Sequence, residues 1–426
     1  MQIKIINTSN SKEISRLCSR SAAHSEDIEK LVKEILLDIK KNGLKAALKY
    51  AKKYDGLKKN TLKISDAQIK LSAAKTNSEL KNALKKAIEN VRFFHEKQCE
   101  KSWSFKGKNG EVLGQRIRAL KRVGLYVPGG AGIYPSTLIM NAVPAIVAGV
   151  KELVVVSPVK DALNSSIAFV LQELGIKEFY RIGGAQAVGL LAYGAHGITP
   201  VDKIVGPGNV FAAFAKKEVF GTVDIDMIAG PSEIVVLADS AANPAWVAAD
   251  MLSQAEHGSG FEASICVTNS LPFAKKLASC IAKEVNASPK REILEKSLKA
   301  YGRILLAKNM DEAVETVNKI APEHLEISAK NENELEKLIE NAGAIFIGSY
   351  SSEPVGDYFA GPSHVLPTNG TARFASPLGV YDFLKKTSII KYSKTALQKN
   401  AKNIALIANS EGFYHHAKAV ETRLLN

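Results

Sequence analysis

Apolar residues in the first third of the chain recur at the spacing of a helix. In the segments 27–53 and 78–101 they fall three or four positions apart, as they do at Ile28, Leu31 and Ile35. This spacing lines one face of an α-helix with apolar side chains. The pattern therefore predicts a mainly helical first third with short connections.

From Val123 onwards, β-branched runs alternate with glycine clusters and helical stretches. Helices are predicted over 142–149 and 165–174, and strands are predicted over 153–156, 204–205, 234–237, 263–267, 303–306 and 344–348. Such alternation is typical of βαβ units around a parallel sheet. We therefore predict the α/β class, with a second α/β segment that begins near Ile234 and a short helical tail after Pro377.

The length and composition favour a globular protein of two or three domains. The chain has 426 residues with 46% apolar content, which is enough for full hydrophobic cores. Its longest apolar stretch, 138–150, contains Asn141 and Pro144 and is shorter than the roughly 20 residues that cross a bilayer. The N-terminus follows the plan of neither a signal peptide nor a transit peptide. We expect a cytoplasmic protein without a membrane partner.

The cysteines suggest a reducing compartment. Only four occur, and none of them forms a CxxC pair. This usage argues against a disulfide framework and against a metal site built from thiolates. Any metal should therefore be held by His, Asp, Glu or Gln side chains.

The positive charge of the chain is concentrated near its start. The formal net charge is +14, and residues 1–122 carry 29 Lys and Arg against 13 Asp and Glu. The basic residues are scattered over helical patterns, without interleaved aromatic residues or a known nucleic-acid-binding motif. A solvated, lysine-rich surface is favoured over a patch that binds a polyanion. We expect no nucleic-acid partner.

Three glycine-rich loops each follow a predicted strand. They read YVPGG at 126–130, GGAQ at 183–186 and GPGN at 206–209. Any one of them could be a plain tight turn. Three in one domain favour a nucleotide, because open sheets bind ligands beyond the carboxyl ends of their strands. The GxGxxG fingerprint is absent, so an ordinary Rossmann motif is not expected.

Two short segments carry groups that could bind a metal or transfer protons. Gln254 and His257 are three residues apart in a predicted helix that ends near Gly258, so they could face one metal ion. Glu323 and His324 place an acid beside an imidazole, which suits general acid and base catalysis. Taken alone, the segment with Gln254 and His257 could also be a helix end that carries a histidine without a metal. The segment with Glu323 and His324 could also be a solvated loop.

Two later segments add further candidates. The turn-rich stretch 353–364 contains spare carboxylates and His364, and the tail carries Glu411 with the adjacent His415 and His416. Five of the eight histidines therefore lie in the last 170 residues, beside carboxylates or turns. This clustering favours a site built mainly from the second half of the chain.

Together these motifs resemble those of the histidinol dehydrogenase family, over essentially the whole chain and in the family's order. They read VGLYVPGG, GGAQA, VGPGN, DMIAGPSE, LSQAEHG, APEHLE, VGDYFAGPSHVLPT and EGFYHHAKAV. The resemblance implies oxidation of L-histidinol to L-histidine through L-histidinaldehyde, at the end of histidine biosynthesis. It also implies two NAD molecules as acceptors and one zinc ion per subunit.

The resemblance assigns four zinc ligands. They would be Gln254, His257, Asp357 and His416. Two imidazoles, a carboxylate and an amide oxygen suit Zn²⁺ chemically. Counting back from the Lys-Ala-Val stretch of the tail selects His416 over its neighbour His415, for which no metal role is expected.

The same resemblance assigns the remaining site residues. Glu323 and His324 would be the catalytic acid and base, with His324 taking the hydroxyl proton and Glu323 activating water for the aldehyde step. NAD would be contacted by Tyr126, Gln186 and Asn209. The substrate would be contacted by the four zinc ligands and by Ser232, His324, His364 and Glu411.

With the resemblance, the fold prediction becomes two α/β domains with parallel-sheet, incomplete Rossmann-like cores. The expected division is a helical N-terminal arm (1–23), a main α/β domain with the metal and substrate site (24–125 with 234–377), an NAD-binding α/β domain (126–233) and a helical C-terminal tail (378–426). The resemblance also implies a homodimer. Its small helical terminal segments would serve dimerisation, and the tail of one subunit would reach the zinc of the other.

Two rival functions are weaker. A zinc-dependent hydrolase could use the same His, Asp, Gln and Glu side chains, but it would not need three glycine-rich loops. A basic nucleic-acid-binding protein would explain only the charge of the first third.

Overall fold

The computed structural model describes residues 3–19, 26–129 and 132–425, and its strands form three sheets. The first sheet has the spatial order β2 (Lys63–Ile64), β7 (Glu178–Arg181), β6 (Glu152–Ser157), β5 (Arg122–Tyr126), β8 (Lys203–Val205), β9 (Asp224–Ile225). The strands β7, β6, β5, β8 and β9 are parallel, and β2 is antiparallel at the edge. The order reverses at β5, which is the doubly wound arrangement.

The second sheet is entirely parallel. Its spatial order is β1 (Lys4–Asn7), β12 (Arg303–Leu306), β11 (Ala263–Thr268), β10 (Glu233–Ala238), β13 (His324–Ser328), β14 (Ala344–Ile347). Every residue of β10 and β11 is buried, as expected of strands covered by helices on both faces. Here the order reverses at β10, so both sheets share one winding plan.

Helices cover both faces of the first sheet. One face is packed by α2 (Glu26–Tyr54), α7 (Gly184–Tyr193) and α8 (Val210–Val219), and the other by α3 (Asp66–Ala73), α4 (Ser78–Glu96), α5 (Pro135–Ala148) and α6 (Ser165–Glu173). The helix α2 is kinked at Gly43, which has a φ of 50°.

The second sheet is covered in the same way. Its faces are packed by α9 (Pro244–Ala255), α10 (Leu271–Ala287) and α11 (Arg291–Tyr301), and by α1 (Ser11–Cys18), α12 (Met310–Ile320) and α13 (Glu332–Glu336). The remaining helices are α14 (Glu353–Tyr358), α15 (Lys394–Ser410) and α16 (Tyr414–Glu421), with 3₁₀ turns at Thr371–Arg373, Val380–Phe383 and Thr422–Leu424.

A third, antiparallel sheet corrects the prediction of a purely helical tail. It has the order β15 (Leu384–Lys391), β4 (Val112–Ala119), β3 (Trp103–Lys106), so the tail begins with a strand before α15 and α16. The β15 sequence LKKTSIIK lies at the sheet edge and is mostly exposed. A strand without a buried face lacks the alternation by which strands are recognised in a sequence.

The predicted division of the remaining chain also differs from the strand pairing. Within residues 24–125, the elements α2, β2, α3, α4 and β5 join the first sheet and not the segment 234–377. Residues 4–7, predicted to belong to a helical arm, form the edge strand β1 beside β12. Periodicity predicts a helix or a strand and its apolar face, but it does not specify which sheet that face packs against. Among the described helices, none is both long and apolar enough to cross a membrane.

We predict that the N-terminal segment stabilises the second sheet. Leu17 of α1 is completely buried in the core shared with α12, so Leu17→Ala should lower the free energy of unfolding by about 3 kcal/mol. Leu37→Ala removes a leucine that is 67% exposed and should change that energy by less than about 0.5 kcal/mol. Denaturant unfolding measures both. Equal small changes would mean that α1 is a loosely attached arm.

Candidate active site

The predicted acid and base, Glu323 and His324, lie at the amino end of β13, beside the amino end of its neighbour β10 in the second sheet. The helix α12 ends at Ala321, whose left-handed φ of 48° turns the chain into Pro322 and Glu323. The Glu323 Oε2 atom accepts the N–H of Glu233 at 2.8 Å, and the N–H of Glu323 donates to Glu233 Oε2 at 3.4 Å. These reciprocal bonds brace the two strand ends. Burial raises the pKa of Glu323 to about 8.

His324 is buried, with its two ring nitrogens in different surroundings. Its Nδ1 lies 2.9 Å from the carbonyl oxygen of Glu233, which can only accept, so Nδ1 carries the proton of this bond. Its Nε2 lies 3.4 Å from Asp357 Oδ1 and has no hydrogen-bond partner in the described ranges of the chain. Burial alone lowers the pKa of His324, but the charges of Glu323 and Asp357 outweigh it and raise the pKa to about 10.

The short helix α14 brings two more carboxylates to the same place. Glu353 is buried; its Oε2 accepts the Ser253 hydroxyl at 3.2 Å, and its Oε1, 4.0 Å from His324 Nε2, has no hydrogen-bond partner. The helix is fixed to β13 by the Glu353 N–H, which donates to Glu326 Oε1 at 2.7 Å. Burial and the nearby Asp357 charge raise the pKa of Glu353.

Asp357 and His364 complete this group on the side of the first sheet. His364 Nδ1 lies 2.9 Å from the Asp357 carbonyl oxygen, and His364 Nε2 lies 3.2 Å from the hydroxyl of Thr137 on α5. Burial acts to raise the pKa of Asp357, but His324 and His364 outweigh it and lower the pKa below its usual range. The site therefore extends from the second sheet to a helix of the first.

The end of α9 supplies the other predicted ligands. Gln254 is completely buried, and neither its amide oxygen nor its amide nitrogen has a hydrogen-bond partner among the described residues. His257 follows the helix and is exposed. Partial desolvation by the surrounding protein lowers the pKa of His257, and this effect outweighs the charge of Asp357, which acts to raise it. A buried amide without partners is costly, so this geometry fits a ligand that would satisfy it.

These donors fit a divalent cation. Among the described residues, donor atoms of His324, Glu353 and Asp357 lie within 4.8 Å of one another. With Gln254 and His257 nearby, the region offers nitrogen and oxygen donors of the kind that Zn²⁺ takes. His324, Glu353 and Asp357 therefore form an alternative set of metal ligands. The sequence did not predict this set, because Glu353 was identified only as part of a turn-rich stretch.

The tail residues are not brought into this group within a single chain. Glu411 ends α15 and His416 lies on α16, and both are exposed. The His416 ring lies 5.0 Å from the Phe413 ring, centroid to centroid, and α16 packs on α15. The neighbouring His415 is equally exposed.

Ser232 lies in the short crossing between the two sheets, directly before β10. Its carbonyl oxygen accepts the N–H of Ala263 at 3.1 Å, and the nearby Gly230 N–H donates to the Thr368 hydroxyl at 2.7 Å. Ser232 therefore immediately precedes Glu233, the residue that braces Glu323.

The three glycine-rich loops meet at the carboxyl ends of the first sheet, except for Gly130, which lies outside the described residues. The buried Tyr126 hydroxyl accepts the Gly184 N–H at 2.9 Å, and burial raises the pKa of Tyr126 to about 12. Asn209 is exposed, and its Oδ1 accepts the Ala212 N–H at the start of α8. The loops follow β5, β7 and β8, and β5 and β8 flank the point where the strand order reverses.

Asp55 is a part of this loop cluster that sequence analysis missed. Its Oδ2 accepts both the Gly183 N–H and the Gln186 side-chain N–H, each at 3.0 Å. Burial raises the pKa of Asp55. Glu233 and Thr137 were missed as well. These residues are distant in sequence from the groups that they contact, so only the fold reveals them.

The fold is that of a doubly wound α/β protein, with a buried cluster of carboxylates around an imidazole and a separate group of glycine-rich loops, as in enzymes that bind a nucleotide. The sequence model of the histidinol dehydrogenase family matches residues 18–424. A histidinol dehydrogenase of Bacillus subtilis (strain 168) is 48% identical over 425 residues, covering 99% of each chain. One of Halalkalibacterium halodurans is 50% identical over 395 residues, covering 92% of this chain and 93% of its own.

The crystal structure of the Elizabethkingia anophelis histidinol dehydrogenase gives the same result. It superposes with a TM-score of 0.93 at 33% identity, covering 99% of this chain and 98% of that chain. The chain belongs to the histidinol dehydrogenase family and is therefore an oxidoreductase. The family resemblance of the sequence motifs and the α/β fold prediction are both confirmed.

We predict that Gln254 is tuned for a ligand at the expense of stability. Gln254→Leu should raise the free energy of unfolding of the metal-free protein by about 1 kcal/mol, because it removes a buried amide without partners. The same variant should lose much of the rise in melting temperature that Zn²⁺ produces. Thermal unfolding with and without Zn²⁺ measures both effects.

Gln186→Leu is the matched control. Gln186 is also buried, but its amide donates to Asp55, so this variant should be destabilised and should keep its response to Zn²⁺. A Gln254→Leu protein that unfolds earlier when metal-free, yet responds fully to Zn²⁺, would contradict the prediction.

Proposed function

We propose that this protein oxidises L-histidinol to L-histidine through L-histidinaldehyde, with NAD as the electron acceptor and one zinc ion per subunit. The observation that carries the proposal is the buried His324, whose Nδ1 is engaged by the Glu233 carbonyl and whose Nε2 has no hydrogen-bond partner. An imidazole held in this way can accept a proton at one defined atom. Family membership supplies the substrate class.

In this proposal the zinc ion is held by Gln254, His257 and Asp357, with His416 of the partner subunit. The unsatisfied amide of Gln254 and the position of Asp357 support the first three ligands. The exposure of the tail supports a ligand that acts on a second copy, so we propose a homodimer with shared sites. A bound zinc ion supplies positive charge and open positions at which an imidazole and an amine can be oriented.

The substrate lies between the two sheets in this proposal. It is contacted by the proposed zinc ligands and by Ser232, His324, His364 and Glu411. The hydrogen bond between His364 and Thr137 supports a pocket that spans elements of both sheets.

The dinucleotide is assigned to the glycine-rich loops, where Tyr126, Gln186 and Asn209 would contact it. When bound, its nicotinamide accepts the hydride that leaves the alcohol or the hydrated aldehyde. Asp55 orients Gln186 and the Gly183 backbone for this contact.

His324 and Glu323 divide the proton transfers. The charges of Glu323 and Asp357 raise the pKa of His324, and a cation bound to Asp357 would offset part of this effect and favour the neutral imidazole, whose Nε2 can accept the hydroxyl proton. Aldehyde oxidation first requires water on the carbonyl carbon. Glu323 serves as the base that activates this water, helped by its raised pKa.

The direct test is to mix the purified protein with Zn²⁺, limiting L-histidinol and excess NAD, and to follow absorbance at 340 nm. We expect two molecules of NADH per molecule of L-histidinol, with L-histidine as the product. A single NADH with accumulated aldehyde would contradict the four-electron oxidation. No NADH, with L-histidinol intact, would contradict the proposed function as a whole.

We predict that Glu323 and His324 serve different half-reactions. Glu323→Gln keeps the shape but accepts no proton, so it should slow oxidation of supplied L-histidinaldehyde much more than oxidation of L-histidinol to the aldehyde. His324→Asn should slow both steps by a factor on the order of 10² to 10⁴. Stopped-flow measurement of NADH with each substrate separates the steps. Equal losses in both steps for the Glu323 variant would leave Glu323 only an orienting role.

A further inference from the structure

A buried ion pair holds the third glycine-rich loop. Lys216 lies in α8 and Asp226 directly follows β9, and their side chains are only 2% and 1% exposed. The Lys216 Nζ atom donates to Asp226 Oδ1 and, at 3.0 Å, to the carbonyl oxygen of Gly206. The Asp226 Oδ2 atom accepts the N–H of the same Gly206 at 2.7 Å. Both backbone polar groups of Gly206 are therefore held by one pair.

Only glycine fits at position 206. Its φ is +111°, and a Cβ atom there would lie 2.2 Å from the carbonyl oxygen of Tyr126. Two residues later, a Cβ atom on Gly208 would lie 3.1 Å from the Tyr126 ring. The Lys216–Asp226 pair therefore holds the loop close to Tyr126. The Tyr126 hydroxyl accepts the N–H of Gly184 in the second loop.

Stability alone does not account for this arrangement. Replacing a buried ion pair by apolar groups of similar size is often neutral or stabilising, because desolvation of the charges offsets their attraction. What sets this pair apart is its position. It fixes the peptide groups on both sides of Gly206, and the loop then continues to Asn209, whose side chain caps α8.

The same carboxylate also borders the crossing to the second sheet. Asp226 Oδ1 accepts the N–H of Met227 at 2.6 Å, and the chain then reaches Gly230, which is bonded to Thr368. Three residues beyond Gly230 lies Glu233, which braces Glu323. One short segment therefore connects the loop to the proton-transfer centre.

We propose that Lys216 and Asp226 are positioning residues for the dinucleotide: by holding Gly206 at both backbone groups, they set the 206–209 loop in the shape that binds NAD. This inference rests on the proposed NAD site. Both side chains are buried and hydrogen-bond to the backbone of Gly206, so we expect neither to contact the reacting atoms.

The test is the double variant K216M/D226L, which replaces both charges by apolar side chains. We expect a folded protein with a melting temperature near that of the wild type. Its dissociation constant for NAD, measured by calorimetry, should rise about 10- to 100-fold. The KM for NAD should rise while kcat at saturating NAD changes little. Hydrogen exchange at 206–209 should become faster.

The matched control is K203M/D224L. Lys203 is also buried and its Nζ lies 3.0 Å from Asp224 Oδ2, but this pair lies at the amino ends of β8 and β9, away from the loops. It should leave NAD affinity unchanged. D226N, which keeps the shape, provides a second variant if the double variant does not fold, and should weaken NAD binding by a smaller factor.

Wild-type NAD affinity in K216M/D226L, or in D226N if only that variant folds, would overturn the inference and leave the proposed function intact. Equal losses in K216M/D226L and K203M/D224L would also overturn it, because the effect would then be general. A wild-type protein that binds no NAD would overturn the proposed NAD site and this inference together.

Discussion

The cost of burying charge shapes the candidate active site. Glu233, Glu323, Glu353 and Asp357 surround one imidazole at the amino ends of two parallel strands. Carboxylates removed from water must be hydrogen-bonded or paired, and here backbone N–H groups satisfy much of this demand. The N–H groups of Glu233, Asn369 and Glu353 each donate to a buried carboxylate. The register of β10 and β13, the attachment of α14 and the loop around 369 all follow from this requirement.

Some buried polar atoms of the candidate site lack the hydrogen bonds that burial requires. Within the part of the chain that the structure describes, His324 Nε2, Glu353 Oε1 and both polar atoms of the Gln254 amide have no hydrogen-bond partner. These atoms belong to groups that the family resemblance or the geometry assigns to the metal and substrate site. A site that leaves polar atoms unsatisfied is less stable but is ready to bind a cation. The unsatisfied atoms and the excess of carboxylates thus have one explanation.

The proposed dinucleotide site and the proposed proton-transfer site lie at opposite strand ends of the two sheets. The glycine-rich loops lie beyond the carboxyl ends of the first sheet, the usual ligand edge of an open parallel sheet. Glu323 and His324, the residues proposed to transfer protons, lie at the amino end of β13 in the second sheet, next to the amino end of β10. The crossing from Asp226 to Glu233 joins these edges, so a reacting carbon between them can face both a dinucleotide and a base.

Much of the fold could be predicted from the sequence where burial is strong. The strand at Arg303–Leu306 has the predicted bounds, and α6 differs from prediction by one residue at its end, because both are apolar and clearly delimited. The exposed β15 and the sheet membership of α2 could not be predicted, since neither leaves a signal in local periodicity. The helix α9 ends at Ala255 with Glu256 as its C-cap, and not near Gly258 as predicted, so His257 lies outside the helix.

The candidate site divides in the same way. Motifs predicted Glu323, His324 and Asp357, which the fold brings together. They did not predict Glu353 or Glu233 as partners, because the pairing of distant carboxylates depends on strand register and helix placement. The tail residue His416 remains a prediction, since its proposed role requires a second copy of the chain.

We propose that His324 stays free to transfer protons while other residues hold the metal. The most direct measurement is a crystal structure of the zinc-loaded protein with anomalous scattering recorded at the zinc edge. We expect one zinc peak per subunit, bound by Gln254, His257 and Asp357 and by His416 of the partner subunit, with His324 Nε2 unbound. A peak held by His324, Glu353 and Asp357 of a single chain would contradict it.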